Sequence, residues 1–185
     1  MNKPRLKKCR VCGAQFRPFN SLAKACGITC ALTLGREATA KKAKAEVKKE
    51  KDIFKLNDKS YQREKAQKAF NEFIRLRDAN SGCISCSKPK GWNGQWHASH
   101  WKSRGARPDL AFNEDNVHKA CSICNKWLSG NVGEYRKALI EKIGAERVHA
   151  LENDQFSIRY SANEYYQMAK KYREESKKLR SFQNS

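Results

Sequence analysis

No run of apolar residues in this 185-residue chain approaches the ~18 that a membrane-spanning helix needs, which makes a membrane the weakest of its conceivable partners. Met1-Asn-Lys-Pro-Arg5 leads into a cysteine knuckle rather than an apolar stretch, so no secretory signal is read there. No internal repeat is visible, and no clean heptad run marks a coiled-coil interface. Glycine and proline are absent between Arg36 and Lys68, which excludes a turn-rich loop and favours helix. Acidic residues are also scarce: 19 Asp plus Glu stand against 39 Lys plus Arg, for a formal net charge of +20. Such an excess is an electrostatic footprint for a polyanion, with DNA or RNA ahead of an anionic membrane surface.

The apolar content of 39% and the aromatic content of 10% are enough for small cores. The distribution argues for several small units rather than one, because the cysteines gather at two places with a charged stretch between them. All eight cysteines come as C-x-x-C or C-x-x-x-C pairs. Without an export signal, reduced thiols on metal are favoured over disulfides.

Four segments follow. Residues 1–35 carry Cys9, Cys12, Cys26 and Cys30, with Phe16, Pro18 and Phe19 between the pairs. The first knuckle reads as a β-turn followed by Gly13, and the second pair falls at the start of a helix near Thr29. This is a treble-clef-like zinc finger, too short to bury a core, so the metal must supply its stability. Residues 36–80 form a Lys-rich helical arm with 12 basic and 6 acidic residues between Arg36 and Lys68. Glu37–Asp52 shows no apolar stripe and reads as a linker or as a strip that follows phosphates. From Tyr61 onward, Ala66, Ala69, Phe70, Phe73, Ile74 and Arg77 fall at helical spacing, a packed face that ends before Asn80-Ser81-Gly82. Residues 81–132 are the chemical centre. Residues 133–185 are helical: Glu134–Ile143 and Ala145–Leu151 break at Gly144, and Ser161-Ala-Asn-Glu164 is a capping box. It opens a helix to about Leu179, with Tyr165, Met168, Ala169 and Tyr172 on one face. The expected fold class is small, helix-rich α+β.

The central segment is framed by Cys83-Ile-Ser-Cys86 and Cys121-Ser-Ile-Cys124. Four thiolates close a second tetrahedral site, giving two structural zinc ions per chain. Inside the frame lie His97, His100 and Asn116, and Asn125 follows directly. Hydrolysing a phosphodiester needs an activated water, a cation at the phosphate and help for the leaving oxygen. A histidine of near-neutral pKa can be the base, and a hard divalent ion takes oxygen ligands such as the Asn side chain. His100 and Asn125 are the candidates for base and ligand. The spacing Cys83, Cys86, His97, His100 is also a tolerable two-cysteine, two-histidine zinc pattern, which would consume both histidines. Lys102, Arg104 and Arg107 flank the base, and Lys126 follows Asn125; all four are candidates for phosphate contact. Trp96 and Trp101 pack the hairpin, whereas Trp92, in an exposed-looking turn, could stack on an unpaired base. His118 reads as a loop or supporting residue and His149 as a surface residue.

This frame of Cys-x-x-Cys, His, Asn and Cys-x-x-Cys-Asn resembles the HNH, or ββα-metal, endonucleases, and its order resembles zinc-stapled phage endonucleases that resolve Holliday junctions. The chain as a whole resembles the NinG family of lambdoid phage recombination proteins, also called Rap. The resemblance runs through the N-terminal finger and the Lys-rich arm to His97-Ala-Ser-His100-Trp-Lys-Ser-Arg104-Gly105. It continues through Asn113-Glu-Asp-Asn116-Val-His, Cys121-Ser-Ile-Cys124-Asn125 and Ser129-Gly130-Asn131 to Tyr135. It implies a ββα-metal core in which His100 activates water, Asn116 braces the loop carrying it, and Asn125 is a metal ligand on the final helix. Many relatives carry an aspartate ligand immediately before the base. Here that position is Ser99, with His97 the substitute ligand and Asp115 or a water the other choices. The implied activity is a structure-specific endonuclease that cuts branched DNA, Holliday junctions or D-loops, with Mg2+ or Mn2+. It would work in the cytoplasm of the bacterial host, and a symmetric dimer would suit the two cuts a junction needs. The competing readings are a non-catalytic zinc-finger protein that binds nucleic acid and a general HNH duplex or nicking enzyme.

Overall fold

The computed structural model describes residues 5–154 and 158–183; the first four residues, part of the segment searched for a signal, lie outside them. The chain divides into two compact units, residues 1–54 and 55–185.

In the first unit, β1 (Lys7–Lys8) pairs antiparallel with β2 (Gln15–Phe16), Lys7 opposite Phe16. The knuckle Cys9–Cys12 forms the turn, closed by Gly13 N–H to the Cys9 carbonyl at 3.1 Å. Gly13 has φ +73°, a left-handed angle that a side chain would oppose. Helix α1 (Ile28–Asn57) starts one residue before the position read from the sequence and contains no buried residue. Cys9, Pro18 and Ala23 are the buried residues of this unit among those described, too few for a core. Phe19 is 88% exposed.

The second unit is built on α2 (Lys59–Arg77), capped by Asp58, whose carboxylate accepts from the backbone N–H of Ser60 and Tyr61. The expected apolar face of α2 packs against α5 (Ala162–Gln183). Phe70 and Tyr172 meet edge-on with ring centres 4.8 Å apart, inside a core that also holds Ala66, Ala69, Phe73, Ile74, Val117, Tyr165 and Ala169. The capping box at Ser161 and Glu164 forms in both directions, with bonds of 2.7 and 3.2 Å. Between these helices in sequence, β3 (Trp96–His100) and β4 (Val117–Cys121) make an antiparallel pair, with His97 opposite Ala120 and His100 opposite Val117. Helices α3 (Val132–Ile143) and α4 (Ala145–Asn153) join at Gly144, whose φ of +88° explains the break. They carry a second core of Trp101, Leu110, Tyr135, Leu139, Val148 and Leu151.

The architecture is helix-rich α+β with two small sheets, and no helix among the described residues is long and apolar enough to cross a membrane. Three local readings need correction. The element after β4 is a single π-helical turn, Ile123–Trp127, rather than the start of the final helix that the resemblance implies, because the chain must wrap tightly to bring Cys124 back to Cys121. His118 is not in a loop: it lies in β4, 2% exposed. Trp92 is not in an open turn: it is half-buried, edge-on to Trp96 at 5.4 Å and packed on the cysteine cluster.

A buried carboxylate ties this unit together. Asp78, at the end of α2, pairs with Arg77 at 2.9 Å and Lys142 at 3.2 Å and accepts the Lys119 N–H of β4 at 3.0 Å. Burial opposes its charge, but the Arg77 guanidinium and these donors win and pull its pKa down to about 2.

Candidate functional site

Each cysteine tetrad comes from a turn and a helical start. Cys9, Cys12, Cys26 and Cys30 have all four sulfurs within 4.8 Å of one another, as do Cys83, Cys86, Cys121 and Cys124. A tetrahedron with zinc–sulfur bonds of about 2.3 Å has sulfur–sulfur edges of about 3.8 Å. The sulfurs of Cys12 and Cys26 are 3.5 Å apart, those of Cys26 and Cys30 3.7 Å, and those of Cys86 and Cys121 3.9 Å. None is in a disulfide. Backbone N–H groups of Cys12 and Val11 draw the Cys9 thiol down to about 6, whereas the neighbouring sulfurs of Cys12 and Cys30 push Cys26 up to about 12. Such crowding is relieved by a dication at the centre, and both tetrads could hold a metal ion such as zinc. The two-cysteine, two-histidine arrangement is not built, since the second cluster is made of thiols alone and both histidines stand outside it.

The second tetrad sets the register of everything around it. Ile84 N–H binds the Lys119 carbonyl of β4 at 3.0 Å, the Ser85 hydroxyl donates to the Gly130 carbonyl at 2.9 Å, and the Asn131 amide donates to the Ser85 carbonyl at 2.7 Å. Gly82 begins this knuckle, and a Cβ there would come 2.5 Å from the Lys88 carbonyl. The knuckle, β4 and the π-turn are thus one clamp, and Asn125 on that turn is carried to β3, where its amide lies 3.0 Å from His97 Nδ1. Residues 28 apart in sequence meet because the sulfurs do.

His97, His100 and Asn125 line one cleft of about 610 Å3, together with Asn71 and Arg75 of α2 and Arg104. His100 Nε2 is 3.0 Å from the Ala111 carbonyl. A carbonyl only accepts, so Nε2 carries the proton and Nδ1 keeps a free lone pair. Burial lowers the His100 pKa; the Ala111 carbonyl works against this, and Arg104 adds to it. The imidazole is therefore neutral at pH 7, as a base must be. Burial, Lys126 and Arg75 lower His97 likewise.

Asn116 lies behind His100, fully buried. Its Oδ1 accepts Lys102 N–H at 2.8 Å, and its Nδ2 donates to the carbonyls of Lys102 at 3.0 Å and Leu110 at 3.1 Å. It thereby closes the loop from His100 to Ala111 on which the His100 hydrogen bond depends.

The other expected residues are placed as follows. Ser99 is 1% exposed, and its hydroxyl has no partner among the described residues. Asp115 is ion-paired with Arg147, away from the cleft lining. Lys102 spreads its ammonium over the Trp101 ring at 4.4 Å. Arg107 is committed within the fold, paired with Asp109 at 2.6 Å and donating to the Leu151 carbonyl at 3.0 Å. That spends its fork on joining the loop to α4. Lys126 is exposed. Sequence reasoning missed Asn71 and Arg75. They are four residues apart on α2, opposite the apolar stripe, and only the packing of α2 against β3 makes that polar face a cleft wall. Trp127, on the π-turn, is 80% exposed.

The whole of this geometry can be set against known proteins. The family model described as "Bacteriophage Lambda NinG protein" matches residues 1–182. The chain belongs to the NinG family. Among NinG relatives, the protein ninG of Escherichia phage 933W is 36% identical over 196 aligned positions, covering 97% of this chain and 96% of its own. That of Salmonella phage P22 is 40% identical over 125 positions, 68% of this chain and 61% of its own. That of Escherichia phage lambda is 40% identical over 125 positions, 68% and 60%. No solved structure matches this NinG protein.

Proposed function

We propose that this NinG protein is a metal-dependent endodeoxyribonuclease of HNH type that cuts branched DNA of phage recombination, Holliday junctions or D-loops. The observation that carries the reading is the His100 imidazole: neutral, its Nε2 fixed by Ala111, its Nδ1 free, and its loop held by Asn116 at a cleft whose other polar side chains are amides, an imidazole, guanidinium groups and serine hydroxyls. In this mechanism a water beside Nδ1 gives up a proton to His100 as it attacks phosphorus, and Arg104 and Arg75 offset the charge gathering on the phosphate oxygens. His97 and Asn125 would hold a divalent ion, Mg2+ or Mn2+, which supplies charge neutralisation and eases departure of the sugar oxygen. The donor set fits if the Asn125 amide is turned so that Oδ1 faces His97 Nδ1 and the imidazole carries its proton on Nε2, which would leave the Nδ1 lone pair and Oδ1 side by side to hold the ion in place of their hydrogen bond. Among the described residues no carboxylate lines the cleft, so substrate phosphate oxygens would complete the ion's shell.

The branched substrate is supported by the likeness of the His–Asn–Cys frame to junction-resolving phage endonucleases. A pair of chains acting in the host cytoplasm would make the two cuts. The competing reading, a zinc protein that only binds nucleic acid, is favoured by the net charge of +20 and by α1, which buries none of its residues.

One set of measurements decides between them: zinc per chain in the wild type and in His97→Ala/His100→Ala, with junction, D-loop and linear duplex cleavage assayed on the same preparations. Two zinc ions in both proteins, with cleavage in Mg2+ or Mn2+ confined to the wild type, is the expected result. A wild type that never cuts would establish the binding protein. Equal cutting of linear duplex would establish the general HNH enzyme.

A further inference from the structure

The cleft at His100 does not close behind it. It shares Asn71, Arg104 and Gly105 with a larger groove of about 920 Å3, and α2 walls both. Glu64, Lys68, Asn71 and Arg75 recur at three- and four-residue steps along α2, on the face turned away from Ala66, Ala69, Phe70 and Phe73. The cations of this wall are among those of the unit that have no carboxylate partner. Of its ten arginines, Arg77, Arg107, Arg136, Arg147 and Arg180 are each paired with a carboxylate. Arg75 and Arg104, like Lys68, make no ion pair or side-chain hydrogen bond among the described residues. A cation left unpaired while its neighbours are neutralised is available to an external anion.

We propose that Lys68, Asn71 and Arg75 of α2, facing Arg104, form a phosphate-tracking ridge that holds the backbone of the strand presented to His100. The seven helical steps from Lys68 to Arg75 span about 10 Å, roughly three base steps at 3.4 Å each. The ridge touches phosphates and reads no bases, since lysine and arginine side chains spaced this way position a duplex without specifying its sequence. Asn71 receives the Gln67 amide on its Oδ1 at 2.8 Å, which turns its own Nδ2 outward as a donor. Glu64 ends the ridge: beyond it a carboxylate faces the groove and repels the next phosphate. The proposal rests on the nuclease reading for which strand is held, though not for the binding itself.

The test measures affinity for a four-way junction by fluorescence anisotropy across a salt series. All proteins carry His100→Ala, so that nothing is cut. Lys68→Gln/Arg75→Gln keeps an unbranched polar side chain and helix propensity while removing two charges. Lys170→Gln/Arg173→Gln, on the exposed face of α5, removes the same charge elsewhere. Each phosphate that is no longer neutralised lowers the slope of log affinity against log salt by about 0.9. The ridge pair is expected to lower the slope by about 2 units and the affinity at least roughly tenfold, with the α5 pair nearly silent. Glu64→Gln is expected to bind more tightly than its parent. Equal weakening by both pairs would reduce the effect to net charge and overturn the ridge, as would an unchanged slope in the ridge pair. If His100→Ala abolishes cleavage while the ridge pair binds like its parent, the ridge fails and the nuclease stands. If the wild type never cuts but the ridge slope falls, the ridge stands and the nuclease fails.

Discussion

Asn116 shows how much one side chain can decide. It is fully buried and uses its amide as acceptor and as double donor, so no isostere replaces it. Asn116→Asp keeps the acceptor for Lys102 N–H but faces two carbonyls with oxygen. The expected cost is about 2–3 kcal/mol, read as a lowered urea midpoint, with cleavage falling further because the His100–Ala111 hydrogen bond slackens. An undiminished midpoint would mean that the loop holds itself. His118 is the other informative residue. Burial foremost, with Lys142 and Arg77, pushes it down to about 3. The unfolded chain therefore takes up a proton near pH 6.5 that the folded chain refuses. The contribution to stability is complete above that pH and erodes as pH falls from about 6.5 toward 3, by at most about 1.4 kcal/mol per unit. Asp78, with its pKa at about 2, adds a second loss from about 3.8 down to 2. His118→Phe should flatten the upper limb relative to its parent in urea melts across pH. An unchanged slope would assign that acid sensitivity elsewhere.

At the scale of elements, the two sulfur clusters have unequal duties. The first ties the β1–β2 turn to the start of α1 in a unit with almost nothing else buried. The second ties β4 and the π-turn to a knuckle that also touches the Trp92–Trp96 pair, and through Asn125 it shapes the cleft. Cys9→Ser should lose one zinc and melt the small hairpin while leaving the near-ultraviolet spectrum of the tryptophans nearly intact. All four of these, Trp92, Trp96, Trp101 and Trp127, lie in the larger unit. Cys121→Ser should lose one zinc, disturb that spectrum and abolish cleavage. Identical spectra for the two variants would count against separate units. Helix α2 serves on both sides at once: its apolar stripe makes the main core with α5, and its polar face walls the cleft. That economy explains why a helix readable from sequence as packing material also carries candidate binding residues.

For the whole molecule the dominant quantity is charge. With +20 net and a 30-residue α1 that buries none of its side chains, binding to DNA should be governed by release of counterions. Raising salt from 50 to 200 mM should weaken binding by about a thousandfold or more if six or more phosphates are neutralised. A shallow dependence would indicate that few of these cations reach the backbone.

Much of this was legible in the chain itself. The tetrads follow from cysteine spacing, because tetrahedral coordination tolerates few loop lengths. The apolar faces of α2 and α5, the break at Gly144 and the capping box at Ser161 follow from local periodicity and turn chemistry, which act over a few residues. What acts between distant residues was not legible: the burial of His118, and the spending of Arg107 on Asp109 and α4 rather than on the cleft. The same holds for the conversion of Asn71 and Arg75 from a solvated helix face into a wall. Side-chain type and spacing set by themselves which groups could bind metal, carry a proton or hold a phosphate. Tertiary packing alone decided which of them share one cleft, since that depends on contacts closed over tens of residues by the sulfur clamp and the α2–α5 core.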